Sequence, residues 1–114
     1  MFKVTFYRKP DGTKPAGEFI KELDAIAKEQ VIREIRNLAL MGNQLREPKS
    51  KAIEGETNLF ELRIMERSNN YRLFYFFIMG SEIIVTHGFT KKSQKTPSEE
   101  IERAKRYRAD YLAN

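Results

Sequence analysis

Arg63 and Arg72 lie either side of Ser68-Asn69-Asn70, a turn-forming triplet between two strand-like runs. Two guanidinium groups on adjacent strands can hold one phosphate bidentately and stabilise charge developing on phosphorus. A second basic group follows in HGFTKKSQKTP, residues 87 to 97, which gathers Lys91, Lys92 and Lys95. This stretch runs from a strand end into a helix start, where backbone N–H groups themselves attract anions. Crowded ammonium groups depress one another's pKa, which brings a lysine toward the range of a general base or acid. His87 is the only histidine and the other candidate for proton transfer. Tyr71, Tyr75 and Phe89 offer faces on which a base can stack. The chemistry these types favour is work on an RNA phosphate.

Each element also has a plainer account. Arg63 and Arg72 can pair across the hairpin with Glu61 or Glu66, and the lysine run can be a solvated loop. His87 keeps the phase of Ile83, Val85 and Phe89, which suits a partly buried histidine better than a catalyst. Tyr71, Phe74, Tyr75, Phe76 and Phe77 are expected to be mostly core.

Several other chemistries lack their residues. One histidine cannot supply paired imidazoles, and no His, Asp or Glu cluster has metal-ligand spacing. Neither G-x-S-x-G nor a phosphate-binding glycine loop occurs. Without cysteine there are no disulfides and no thiolate metal sites. No cofactor is expected.

The elements that must position these side chains follow from pattern. The 114 residues suit one domain, 1–114, with one core. The hydrophobic fraction of 40% and charged fraction of 32% fit a folded chain and argue against disorder. Phe2, Val4 and Phe6 alternate with Lys3, Thr5 and Tyr7 as in a half-buried strand. Residues 15 to 42 read as a helical hairpin. Asp24 is the candidate N-cap of its second helix, which carries Ile26, Val31, Ile35 and Leu38, and Gly42 closes it.

Asn43 to Asn58 reads as a polar connection anchored only by Ile53. Strands are expected over Leu59 to Arg67, Tyr71 to Met79 and Glu82 to Phe89, the middle one apolar on both faces and so central. Gly80-Ser81 fits a two-residue hairpin turn. Thr96-Pro97-Ser98-Glu99 predicts a capping box opening a last helix with Ile101, Ala104, Tyr107, Tyr111 and Leu112 on its stripe. The expected order is β-α-α-β-β-β-α, an α+β fold with a small antiparallel sheet.

The net charge is +5, with 21 Lys and Arg against 16 Asp and Glu. An anionic partner such as nucleic acid is compatible with that excess. Positive charge collects at Arg46, Lys49 and Lys51, at Lys91, Lys92 and Lys95, and from Arg103 through Arg108. No run approaches the ~20 apolar residues of a membrane helix, and Phe2 to Arg8 is too short and too alternating for a signal peptide. A cytoplasmic protein with no membrane partner is expected.

LFELR (59–63), NYRLFYFF (70–77) and HGFTKKSQKTP leading into EEIERAKRYRADYL resemble the HigB-like, phage-derived branch of the RelE/ParE toxin superfamily. The likeness covers nearly the whole chain, and its central motifs keep that branch's order and spacing. It implies a curved four-stranded sheet flanked by two helices and a last helix. It implies a toxin of a type II toxin–antitoxin pair, a metal-independent endoribonuclease that cuts mRNA on the ribosome. In such a reaction the ribose 2′-hydroxyl attacks the adjacent phosphate, leaving a cyclic phosphate and a free 5′-hydroxyl. It implies a helix-turn-helix antitoxin encoded by the adjacent gene, with operator DNA bound only through the toxin–antitoxin complex.

Position by position, the resemblance sets Arg63 and Arg72 on the scissile phosphate, Arg72 as the main transition-state stabiliser. Lys91, Lys92 and Lys95 fall where the leaving oxygen and flanking phosphates would be met, with one of them or His87 moving protons. Glu61 departs from the lysine of RelE proper, and the tyrosine RelE carries near its last helix has no evident counterpart. Two further readings share the fold: a non-enzymatic ParE-like toxin that binds DNA gyrase, and a non-toxic RNA-binding regulatory module.

Overall fold

In the computed structural model, which describes residues 1–114, the apolar run around Phe74 forms the central strand of an open five-stranded sheet. In chain order the elements are β1 (Lys3–Phe6), α1 (Pro15–Lys21), α2 (Ala25–Met41), β2 (Ser50–Ala52), β3 (Phe60–Glu66), β4 (Asn69–Ile78), β5 (Glu82–Lys91) and α3 (Ser98–Ala113). The strands lie side by side as β1-β5-β4-β3-β2. The fold class is α+β, as expected. The sheet has one more strand than expected and is not wholly antiparallel.

The extra strand, β2, pairs Ser50, Lys51 and Ala52 with Leu62, Glu61 and Phe60. At three residues it is too short to show a period of two, so it hides within the polar connection. β1 pairs with β5 in parallel, Lys3 opposite Glu82 through Phe6 opposite Val85. Antiparallel neighbours are commonly joined by a tight turn, whereas parallel ones need a long crossover. Here the helical hairpin and three further strands separate the partners.

The sheet is covered on both faces, which is why β4 is apolar throughout. Leu62, Ile64, Tyr71, Leu73, Tyr75, Ile83 and Val85 meet Ala16, Ile20, Ala27, Val31 and Leu38 of the helical hairpin. On the other face Phe74, Phe76 and Ile84 meet Ile101, Ala104, Tyr107 and Tyr111 of α3. Ile53 and Leu59 close that second core, so Ile53 does anchor the connection. No helix is long and apolar enough to cross a membrane.

Local signals hold in part. The Asp24 carboxylate accepts from the Ala27 N–H at 2.8 Å, capping α2, and Gly42 ends that helix at φ 54°. A Cβ at Gly42 would fall within 2.0 Å of the Phe2 ring, so space as well as backbone angle demands glycine. The capping box on α3 does not form. Pro97 takes the N-cap position and the Thr96 hydroxyl turns away to Glu61. Donating to a buried carboxylate is worth more to that hydroxyl than accepting from a helix-end N–H that water can serve.

Ile78 pairs with Glu82, so the β4–β5 connection is Met79-Gly80-Ser81, three residues with Gly80 at φ 86°, not a two-residue turn. The β3–β4 turn is tighter than Ser68-Asn69-Asn70: Glu66 pairs with Asn69, and Arg67 takes φ 58°. Ile26 and Leu112 leave their helical stripes for solvent, and Ala27 takes the buried position on α2.

Candidate functional site

Register on the three long strands brings the basic residues together. Arg63 of β3 lies opposite Arg72 of β4, Arg72 lies opposite Phe89 of β5, and Lys91 lies opposite Asn70. Because strand side chains alternate, Glu61, Arg63, Asn70, Arg72 and Lys91 project from the face that α3 partly covers. Like charges directly opposite on neighbouring strands destabilise a sheet. Glu61 sits between them as counter-ion. Its Oε1 lies 3.3 Å from the Arg63 Nε and 3.5 Å from the Arg72 Nε, and its Oε2 accepts from the Thr96 hydroxyl at 2.7 Å.

The contact with Arg72 is a close ion pair rather than a directed hydrogen bond, since the buried Arg72 Nε has no aligned acceptor. Burial pushes the Arg72 guanidinium below its usual pKa; Glu61 pulls it back and Arg63 pushes the same way as burial.

Two clefts that share Lys91 open on this cluster, beside a third of about 330 Å³ where Arg63 and Arg72 face Lys49 and Glu34. One, of about 710 Å³, has no apolar side chain in its walls, which include Asn70, Arg72, Lys91, Lys92 and Gln94. The second, of about 370 Å³, carries Lys51, Glu61, Arg63, Lys91, Lys95 and Thr96. Lys91 belongs to both. Partial burial lowers its pKa first, and Arg72, Arg63 and Lys51 add to the fall while Glu61 opposes it. That combination leaves an ammonium that gives up its proton more readily than a surface lysine.

Most members of the other basic clusters are paired where they stand. Lys49 pairs with Glu34 at 2.7 Å, Arg103 with Glu100 at 3.0 Å, and Lys105 and Arg108 with Glu56 at 3.3 and 2.9 Å. Lys51, Lys91, Lys92 and Lys95 take part in none of the ion pairs. Four lysines free of ion pairs therefore stand at these clefts.

Of the residues singled out from sequence, Arg63, Arg72 and Lys91 converge, Lys92 and Lys95 flank them, and His87 stays apart. Thr86 and His87 together face Phe74, because Leu73 pairs with Gly88 and Tyr75 with Val85. This bulge inserts one residue and turns the rest of β5 over. His87 thus leaves the phase of Ile83 and Val85 and keeps only that of Phe89. It is 3% exposed, packed against Phe74 and Tyr107, with Nε2 3.0 Å from Glu100 and Nδ1 3.2 Å from the Thr86 hydroxyl. Burial lowers its pKa against the pull of Glu100, and Arg103 and Arg106 lower it further.

The stacking faces also move. Tyr71 and Tyr75 are buried under the helical hairpin, Tyr75 against Phe60 and bonded to Ser50. Phe89 is half-buried, stacked on Phe74. Lys51 and Thr96 are the site residues that sequence reasoning passed over. The Lys-rich stretch before Ile53 was visible, but nothing in it showed that Lys51 would pair with Glu61 at the mouth of a cleft.

No curated protein matches the chain. The sequence profile of the phage-derived Gp49-like proteins matches residues 18–109, from within α1 almost to the end of α3. Every residue of the clefts lies inside that range. The family is associated with the toxins of toxin–antitoxin pairs. The chain belongs to the phage-derived Gp49-like protein family.

Proposed function

We propose that this protein is a HigB-like, ribosome-dependent mRNA endonuclease, the toxin of a type II toxin–antitoxin pair. The observation that carries the reading is the meeting of Arg63, Arg72 and Lys91 on three adjacent strands, at clefts lined with unpaired lysines. Such a site suits one RNA linkage. The guanidinium groups hold the phosphate and offset the charge that grows on its oxygens as the 2′-hydroxyl attacks. The 2′-hydroxyl proton passes to solvent water as the P–O2′ bond forms and the P–O5′ bond breaks, giving a cyclic phosphate and a free 5′-hydroxyl. Lys91, whose proton is loosened by its setting, donates to the departing 5′-oxygen, while Lys92 and Lys95 hold flanking phosphates. His87, buried behind Phe74, fastens α3 to β5 instead of moving protons. The partners are mRNA in the ribosome and an antitoxin of the helix-turn-helix class.

Incubation with programmed ribosomes, followed by mapping of mRNA ends, tests the reading. New 5′-hydroxyl ends formed in the presence of EDTA are expected. Intact message with a folded sample, or inhibition of gyrase supercoiling without RNA cleavage, would reject it.

A further inference from the structure

Glu61 is the one carboxylate at the centre of the basic cluster, and it is 2% exposed. A carboxylate that deep is retained only if its oxygens are well partnered. Its partners come from three places: Arg63 on its own strand, Arg72 on β4 and Thr96 on the segment that leads from the lysines into α3. The two guanidinium groups meet it through their Nε edges, and the Nη groups of Arg63 meet no protein acceptor. Lys91 and Lys95 lie just before Thr96 on that segment, in the cleft whose floor Glu61 forms.

We infer that Glu61 is a positioning residue of this site, orienting Arg63 and Arg72 by their inner edges and pinning the lysine-bearing segment 91–97 through Thr96. It does not touch RNA. It keeps two like charges at a spacing that one phosphate can bridge, and it keeps the ammonium groups over the same spot. The inference rests on the nuclease reading for its kinetic consequences, but the geometry can be tested without it.

Two arms separate the ideas. In the first, side-chain 1H–15N spectra follow hydrogen exchange at Nε of Arg63, which donates to Glu61. Protection should fall about tenfold or more in Glu61→Gln, the loss expected for a charge-assisted hydrogen bond. In the second, cleavage on programmed ribosomes is measured across pH. Glu61→Gln should lower kcat about 10- to 100-fold with KM nearly unchanged, because only transition-state contacts are lost. The pH limb belonging to Lys91, which Arg72, Arg63 and Lys51 push down and Glu61 holds up, should move to lower pH.

Thr96→Val, at a half-buried position, should change kcat in the same direction by less, and Glu61→Asp should recover part of the loss. Unchanged exchange together with an unmoved kcat and pH limb in Glu61→Gln overturns the inference. If that variant does not fold, an unchanged kcat and unchanged Nε exchange in Thr96→Val overturn it. If the wild-type protein leaves mRNA intact, the nuclease reading fails and the exchange arm alone decides.

Discussion

At the residue scale, one side chain of the site and one that stands apart from it answer to opposite pressures. Arg72 is 7% exposed and must stay charged, so it depends on Glu61 and on whatever anion enters the cleft. Under the proposed nuclease function, replacing it with Ala removes a transition-state donor and should lower kcat about 100- to 1,000-fold. Because the change also strips a partner from buried Glu61, a urea midpoint should be measured beside the rate, and Arg72→Lys should restore stability better than activity. His87 is the reverse case, a group kept neutral by burial.

Its folded pKa lies below the usual 6.5, so around that pH the unfolded chain binds more protons than the folded one. The stability it contributes is whole above 6.5 and drains away as pH falls toward the folded value. Urea midpoints of the wild type should drop between pH 7.5 and 5.5, and His87→Gln should flatten that part of the slope. An equal drop in both proteins would assign the titration elsewhere. Basic types and their order were legible in the chain at this scale. Their shared counter-ion was a stated alternative that the coordinates turned into part of the site.

At the element scale, β5 does the most to arrange the site. Its bulge at Thr86 and His87 sets Phe89 and Lys91 on the face of Arg72, and leaves Gly88 on the face of the helical hairpin. A Cβ at Gly88 would come within 2.5 Å of Leu73 Cδ2 and of Phe19 Cδ2. Both belong to packed side chains with nowhere to go, so Gly88→Ala should cost about 1–3 kcal/mol, read as a lower urea midpoint. A midpoint equal to wild type would mean that α1 moves freely off the sheet.

Periodicity placed the helices and the long strands to within a few residues, because each buries a face and repeats its signal. The bulge was not legible, since a single inserted residue leaves the apolar run of β5 intact while reversing which face each side chain takes. The missing capping box has the same origin: Thr96 had a local partner in prospect, and a distant strand supplied a better one.

At the scale of the whole molecule, the decisive quantity is where charge is left over. The net +5 is small, and Lys49, Arg103, Lys105 and Arg108 are paired with Glu34, Glu100 and Glu56. Four of the lysines in no ion pair, Lys51, Lys91, Lys92 and Lys95, line the clefts beside Arg63 and Arg72. Association with RNA should therefore weaken with salt, and Lys92→Ala and Lys95→Ala should each lower the slope of log K against log salt by about 0.7 to 1, with little change in kcat. Slopes unchanged in both variants would remove these lysines from the phosphate path. Tyr7 ties the far end of α3 to β1 through a 2.5 Å hydrogen bond to Asp110, and its pKa is pushed up to about 12, chiefly by burial. The helix that partly roofs the site is thus held at both ends, by Glu100 near its start and Asp110 near its finish.

The order of types along the chain was enough to establish an α+β fold and a two-faced central strand, and to single out arginine and lysine as candidate site residues. Those follow from short-range rules, in which burial repeats with a fixed period and each side chain has a fixed repertoire. Tertiary structure alone decided that β1 joins β5 in parallel, that Lys51 borders the cleft, that His87 is walled in, and that one carboxylate binds Arg63, Arg72 and Thr96 together. Each of these pairs residues far apart in the chain. Which distant groups meet depends on register and on a bulge, and neither leaves a local mark.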